Sequence, residues 1–139
     1  MFGKRTSIAA GILLLSLALL PACAPEETPD PADERDKFVD AWNFAENSSL
    51  AGSSNYVVLI SKSTTNSSEV LLENFYDLGN QHKARMSVSG NSLTIPQQTL
   101  NGNQISGSGT LSGNNTFTLS YTVNNGTTID NCTATCTRQ

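Results

Sequence analysis

The feature that most constrains the fold of this chain is the strict alternation of apolar and hydroxyl side chains in Thr116–Val123. Every odd-numbered residue of this run is Phe, Leu, Tyr or Val, and every even-numbered residue is Ser or Thr. Successive side chains of a β-strand point to opposite faces, so the run predicts a strand with one buried and one solvated face. Similar alternation marks Ala84–Val88, Ile105–Leu111 and Cys132–Cys136. The sequence therefore predicts an all-β fold from Phe38 onward.

Short turns rich in Gly and Asn separate these runs. Because Gly and Asn accept the positive φ of tight hairpins, each turn predicts a connection between neighbouring antiparallel strands. With earlier strands predicted at Trp42–Glu46, Tyr56–Ser61 and Val70–Phe75, the chain forms a meander of about seven to nine strands, which predicts a small barrel or, alternatively, a two-sheet sandwich. Gly107 and Gly109, on one face of a strand, indicate a bend or a close backbone approach. The turns are Ser89-Gly90-Asn91, Asn101-Gly102-Asn103, Ser112-Gly113-Asn114 and Asn124-Asn125-Gly126.

The N-terminal region predicts export and lipid anchoring. A basic start precedes an uncharged run, Ile8–Leu20, which is too short to span a membrane and has the layout of a signal peptide. The end of this run, Leu20-Pro21-Ala22-Cys23, resembles the cleavage box of bacterial lipoproteins. The resemblance implies a signal peptide of residues 1–22, an acylated Cys23, and a lipid membrane as partner. Ala24, rather than Asp, after the cysteine implies the outer membrane by the same resemblance.

An acidic, proline-rich segment follows, and residues 23–37 are predicted to be a disordered tether. From Ala24 to Lys37 the chain has three prolines, six acidic residues and no large apolar side chain. The acids either only keep the chain soluble or direct it to the cell surface, because Cys23-Ala24-Pro25-Glu26-Glu27 resembles acidic export tags of surface lipoproteins from Gram-negative gut anaerobes. The periplasmic face of the outer membrane is the alternative location. A single domain, residues 38–139, is predicted to follow.

The start of this domain resembles the first strand of lipocalin-like domains. In that family an apolar pair is followed by Gly-x-Trp, and Phe38-Val39-Asp40-Ala41-Trp42 has Asp40 where the family has Gly. The resemblance implies a lipocalin-like β-barrel in which Arg138 packs across Trp42, so that both residues are structural. The order of segments from Glu69 to Thr135 is also similar to small lipocalin-like lipoproteins of Gram-negative gut anaerobes.

The sequence lacks the residue sets of an enzyme or a nucleic-acid-binding protein. The one histidine, His82, has no second ligand at metal-binding spacing, and no serine lies in a Gly-x-Ser-x-Gly elbow before a helix. Glu69 and Glu73 share one face of a predicted strand, where solvated surface charges are expected. The eight basic residues form no cluster and are outnumbered by twelve acidic ones. We therefore expect no catalysis, metal, cofactor or nucleic-acid partner.

Cys132 and Cys136 lie four positions apart and face the same side of a predicted strand. Four residues of regular strand span about 13 Å, whereas a disulfide requires Cα atoms within about 7 Å. A regular strand therefore predicts two buried free thiols. A bulge or turn near Asn131 that brings the two cysteines together as a local disulfide is the alternative.

Two functions are consistent with these features. By resemblance to lipocalin-like barrels, the domain binds a small apolar or amphipathic ligand, with Tyr56, Phe75, Met86, Phe117 and Tyr121 lining the site. Alternatively, the same side chains fill the interior, and the domain is a structural or protein-interaction subunit of a cell-envelope assembly. An enclosed cavity of roughly 300 Å³ with a mouth indicates the carrier, and a filled interior with an exposed apolar patch indicates the interaction subunit.

Replacing Cys23 with Ser removes the predicted acylation site. Two or more acyl chains hold a protein stably on a membrane, at about 0.8 kcal/mol per buried methylene. Cys23→Ser should therefore move the chain from the detergent phase to the aqueous phase in a detergent phase-separation assay. Cys132→Ser, which removes a cysteine from the folded domain instead, should leave the partitioning unchanged. Membrane association that survives Cys23→Ser would show that the anchor lies elsewhere.

Overall fold

Alternating burial runs through the strands of the computed structural model, which describes residues 31–139. In β7 (Thr116–Asn124) the apolar side chains are buried and the Ser and Thr side chains lie outside or at intermediate depth, as predicted. Each strand pairs with the next, and β8 (Ile129–Arg138) pairs with β1 (Asp40–Ser48), which closes the barrel. The other strands are β2 (Gly52–Lys62), β3 (Glu69–Glu73), β4 (Lys83–Ser89), β5 (Ser92–Leu100) and β6 (Asn103–Ser112).

The closed pairing decides between the two predicted architectures. In a sandwich β1 and β8 would be free edges, but here they are hydrogen-bonded from Trp42↔Arg138 to Ser48↔Cys132. The antiparallel meander barrel is therefore confirmed. The four predicted turns are confirmed as well, with positive φ at glycines that include Gly90 (57°) and Gly113 (68°). The predicted signal peptide, Cys23 and the first part of the predicted tether lie outside the described residues.

The prediction that the third strand runs to Phe75 is wrong. β3 ends at Glu73, and Phe75–Asp77 form a tight turn that is not regular helix, since Tyr76 and Asp77 both have positive φ. The chain leaves the extended conformation because Asn74 and Tyr76 have left-handed φ values of 66° and 56°. Among residues 31–139 no helix has the length and apolar character needed to cross a membrane.

β5 is a strand that the sequence pattern does not predict, because Pro96-Gln97-Gln98 interrupts its alternation. The register of β5 against β6 shifts between Ile95 and Gln98, where the extra residues form a bulge. On the side of β5 that faces β4, the Gln98 side chain supplies hydrogen bonds in place of the backbone. Its Oε1 accepts from the Arg85 backbone N–H, and its Nε2 donates to the Arg85 carbonyl, both at 2.8 Å. A side-chain amide therefore takes the place of a peptide group between β4 and β5.

The folded part of the chain begins before the predicted boundary at Phe38. Arg35 donates from one nitrogen to the carbonyls of Ser63 (3.1 Å), Asn66 (3.1 Å) and Glu69 (3.3 Å), which line the β2–β3 connection. The Arg35 guanidinium also pairs with Asp33 at 2.7 Å. Residues 31–37 therefore pack against one end of the barrel rather than forming a tether, because their charges find fixed partners there.

Trp42 and Arg138 lie at this same end. Trp42 is fully buried, and its indole N–H donates to the Phe38 carbonyl at 2.8 Å. The Arg138 guanidinium carbon lies 4.5 Å from the centre of the Trp42 ring, so the stacking implied by the resemblance is present. Phe117 also packs edge-on against the indole, at 4.6 Å between ring centres.

Gly107 and Gly109 are places where β6 and β7 approach too closely for any side chain. A Cβ added at Gly107 would lie 2.4 Å from the Ser120 carbonyl oxygen, and one at Gly109 would lie 2.1 Å from the Thr118 carbonyl oxygen. Both positions therefore require glycine for steric reasons, as the sequence predicts from their shared face.

Candidate functional site

The five residues predicted to line a ligand site come together inside the barrel, where they pack against one another and against neighbouring rings. Phe75, Met86 and Phe117 are fully buried, and Tyr121 is 3% exposed. Ring centres of Phe75 and Tyr121 are 4.7 Å apart. The Phe44 ring centre lies 5.7 Å from that of Tyr56 and 5.8 Å from that of Phe117. This aromatic cluster occupies the space in which a carrier would hold its ligand.

A buried carboxylate lies beside this cluster, and the sequence analysis did not assign it a role. Glu46 is 4% exposed, and its Oε2 accepts hydrogen bonds from the hydroxyls of both Tyr56 and Tyr121. Among residues 31–139 no Lys or Arg forms an ion pair with Glu46. The pattern that reveals Glu46 is its phase in β1, two positions after Phe44 and four after Trp42 on the inward face.

The two tyrosines are held as neutral hydrogen-bond donors. Burial raises the pKa of Tyr121, and the nearby Tyr56 and Glu46 raise it further. Burial also raises the pKa of Tyr56, and its bond to Glu46 adds to the shift. Both hydroxyls therefore remain protonated and continue to solvate the carboxylate.

Asp130 is a second buried carboxylate, at the barrel end opposite Trp42. It is 2% exposed and accepts bonds from the Ser48 hydroxyl (2.5 Å), the Ser49 hydroxyl (2.9 Å) and the Leu50 N–H (3.2 Å). The Tyr76 hydroxyl donates a further bond at 2.7 Å. Burial works to raise the pKa of Asp130, but these donors outweigh it and hold the pKa well below its usual range.

Asp130 thereby joins two loops that cover this end of the barrel. Ser48, Ser49 and Leu50 belong to the β1–β2 hairpin, and Tyr76 belongs to the β3–β4 loop, which places Phe75 in the core. The loop has a second attachment at Asn74, whose amide donates to the Val57 carbonyl at 2.9 Å and accepts from the Gly79 N–H at 2.8 Å. The left-handed backbone at Asn74 and Tyr76 is held by these contacts.

The remaining candidate groups for chemistry are engaged or buried. Cys132 and Cys136 are free and buried, as predicted for a regular strand. Burial raises the pKa of Cys132 to about 12 and also raises the pKa of Cys136, so both thiols are unreactive. Glu69 and Glu73 pair with Arg85 (3.5 Å) and Lys83 (2.7 Å) on β4. Within residues 31–139 no group of three His, Cys, Asp or Glu residues has a geometry that could hold a metal.

Two shallow cavities open on the outer face of β6, β7 and β8. Their volumes are about 390 and 300 Å³, and both are bordered by Ser120 and Thr133. Of the five predicted ligand-lining residues, only Tyr121 borders either cavity. We refer to the two together as the hydroxyl groove, and its outward-facing side chains are Asn47, Ser106, Ser108, Thr118, Ser120, Thr122, Asn131, Thr133 and Thr135.

Neither protein-family models nor curated proteins give a match to this chain. The resemblance to lipocalin-like lipoproteins therefore rests on the residues quoted for it.

Asp130→Asn should destabilise the domain by about 1–3 kcal/mol at pH 7, because buried donors lose a charged acceptor. Since the folded pKa of Asp130 is lowered, its ionisation stabilises the fold above the unfolded pKa of about 3.9, and this contribution is lost as the pH falls towards the folded pKa. The stability difference between the wild type and Asp130→Asn should therefore narrow below about pH 4. Urea unfolding of both proteins at a series of pH values measures this difference in the free energy of unfolding.

The exposed Asp77, in the loop that Asp130 holds, provides the matched control. Asp77→Asn makes the same chemical change without a buried carboxylate, so its stability difference from the wild type should be small at every pH. A difference for Asp130→Asn that is constant from pH 7 to pH 3 would contradict the assigned role.

Proposed function

We propose that this chain is a lipid-anchored, non-catalytic interaction module of a bacterial cell envelope, and that it works through the outer surface of a filled barrel. The observation that carries the proposal is the packing of Phe75, Met86, Phe117 and Tyr121 in the interior. Fully buried side chains in mutual contact leave the outside of the barrel as the surface available to a partner. Of the two functions drawn from the sequence, this supports the envelope-assembly alternative.

The membrane part of the proposal is supported by sequence features alone. The box Leu20-Pro21-Ala22-Cys23 favours acylation of Cys23, and Ala24 favours the outer membrane. The acidic residues Glu26 and Glu27 favour the cell surface over the periplasmic face. Protease treatment of intact cells distinguishes the two faces, since only a surface-exposed domain is cleaved.

Partner binding by the outside also agrees with the exposed apolar side chains on one wall. Val57 and Leu59 are 41% and 48% exposed on β2, and Val39 is 38% exposed just before β1. Because Ala41 of β1 pairs with Leu59 of β2, the exposed side chains of Val39, Val57 and Leu59 lie beside one another where β1 and β2 meet. Such a patch is small and supports a transient protein contact.

A carrier of a small apolar or amphipathic ligand is the second candidate, and Glu46 is the observation that favours it. A buried carboxylate without a basic partner is costly, and the two tyrosine hydroxyls that stabilise it are groups that a ligand donor would replace. In this candidate the ligand displaces the rings of Tyr56 and Phe75 and bonds to Glu46.

Binding of the neutral fluorescent probe N-phenyl-1-naphthylamine tests the two candidates. A soluble chain that begins at Ala24 should show no saturable binding, because its interior is occupied. Met86→Ala removes a fully buried side chain and should lower the free energy of unfolding by about 2–5 kcal/mol without binding the probe, because the lost side-chain atoms leave a cavity smaller than the probe. Leu59→Ala, which makes a similar truncation on the exposed surface, should change neither property.

Saturable binding of one probe per wild-type chain that is weakened by Glu46→Gln would overturn the filled-barrel proposal and support the carrier.

A further inference from the structure

The last third of the domain presents an outer surface without charge. From Asn101 to Thr137 the sequence contains no Lys, Arg, His or Glu, and its one acid, Asp130, is buried. The charged side chains of the barrel lie elsewhere, for example Glu73 and Lys83 on β3 and β4. The outer face of β6, β7 and β8 therefore consists of hydroxyl and amide groups.

The pairing register arranges these side chains in rows across the strands. Ser108 pairs with Ser120, Ser120 pairs with Thr133, and Thr133 pairs with Asn47. Neighbours in such a row are about 4.8 Å apart, and successive outward side chains along a strand are about 7 Å apart. A parallel row contains Ser106, Thr122 and Asn131. The result is a two-dimensional array of small groups that can both donate and accept hydrogen bonds.

The hydroxyl groove lies within this array. Its two cavities lie side by side on β6, β7 and β8, with Ser120 and Thr133 on their common border. The floor contains the backbone of Gly107 and Gly109, where β6 approaches β7 too closely for a Cβ. Both glycines have the inward phase of Ile105 and Leu111, so they border the groove through their backbone, and its walls are the outward hydroxyl and amide side chains of the neighbouring positions.

The chemistry of the groove restricts what it can bind. A charged ligand would lose hydration without meeting an opposite charge, and an apolar ligand would cover hydroxyls without satisfying them. β-Strand addition is also unavailable on this face, because β6, β7 and β8 are each paired on both sides. The complementary ligand is uncharged and carries closely spaced groups that donate and accept hydrogen bonds.

We propose that the hydroxyl groove binds a neutral glycan. This inference rests on the proposed function, in which the outside of the barrel is the working surface, and it names the class of partner. A single groove binds weakly, because hydrogen bonds to the glycan replace hydrogen bonds to water, and because the ring of Tyr121, the aromatic residue that borders the groove, is buried in the interior and is not available for stacking. Many anchored copies on one membrane would bind a polymeric glycan multivalently.

Affinity electrophoresis of the full lipid-anchored chain in a non-glycosidic detergent tests the proposal. The gels contain dextran, mannan or soluble starch as neutral probes, and dextran sulfate as a charged probe with the same backbone as dextran. The chain should be retarded by at least one neutral polysaccharide and not by dextran sulfate. The retardation should be equal at about 0.05 and 0.5 M salt, because no ion pair is involved.

Variants locate the site. Ser120→Asp and Thr133→Asp each place an unpaired charge in the groove and should weaken the retardation about tenfold. Asn55→Asp adds the same charge at an exposed position of β2 and should leave it unchanged. A charge could also disturb folding, so an uncharged variant serves as a second test. The double variant Ser120→Ala/Thr133→Ala removes two exposed hydroxyls and should reduce the retardation severalfold with an unchanged melting temperature.

The absence of retardation by every neutral polysaccharide overturns the inference, and so does retardation that persists in Ser120→Asp and Thr133→Asp. Capture of an envelope protein by this face with no glycan retardation also overturns it. These outcomes leave the filled-barrel proposal intact, because that proposal fails only if the wild-type interior takes up the apolar probe.

Discussion

The contact between Arg138 and Trp42 is the interaction on which the rest of the structure depends, because it lies where the first strand meets the last. The guanidinium stacks on the indole at 4.5 Å and donates to the Lys37 carbonyl at 2.6 Å and to Asp40 at 2.7 Å. It also reaches the Asn114 carbonyl at 3.4 Å. One side chain thus joins β8 to β1, to the N-terminal segment and to the β6–β7 turn. Arginine suits this position because its planar group stacks and donates in several directions at once.

The interior combines dense aromatic packing with two buried acids, and each acid is tolerated for a different physical reason. Glu46 is solvated by two tyrosines whose own pKa values are raised by burial, so the donors never ionise. Asp130 accepts hydrogen bonds from donors in two loops and thereby connects these loops across one end of the barrel. Glu46 accepts both of its hydrogen bonds on Oε2, whereas Asp130 accepts on both of its oxygens. We propose that the function lies on the outside of the barrel, where an apolar patch and an uncharged hydroxyl groove occupy different walls.

The parts of the fold that could be predicted are those determined by local sequence. The alternation of β7 and the glycine turns establish the strands and hairpins, because burial and positive φ are properties of single positions. β5 could not be predicted, because Pro96-Gln97-Gln98 breaks its alternation. The hydrogen bonds between Gln98 and Arg85, which join β5 to β4 at this point, are seen only in the structure. The phase of β1 directs Glu46 inward, but its partners lie on β2 and β7, and pairing across the barrel is not a local property. The hydroxyl groove likewise depends on the register of four strands.

The central claim, that Arg138 and Trp42 together close the barrel, is tested most directly by a double-mutant cycle on unfolding free energy. Trp42→Leu keeps apolar volume but removes the aromatic face, and Arg138→Ala should cost about 0.5–2 kcal/mol through the lost stacking alone. We expect a coupling energy of about 0.5–3 kcal/mol between the two changes. Arg138→Lys keeps the charge but not the planar guanidinium, so it should recover little of this coupling energy. Losses that add to within about 0.5 kcal/mol in the double variant would contradict the account.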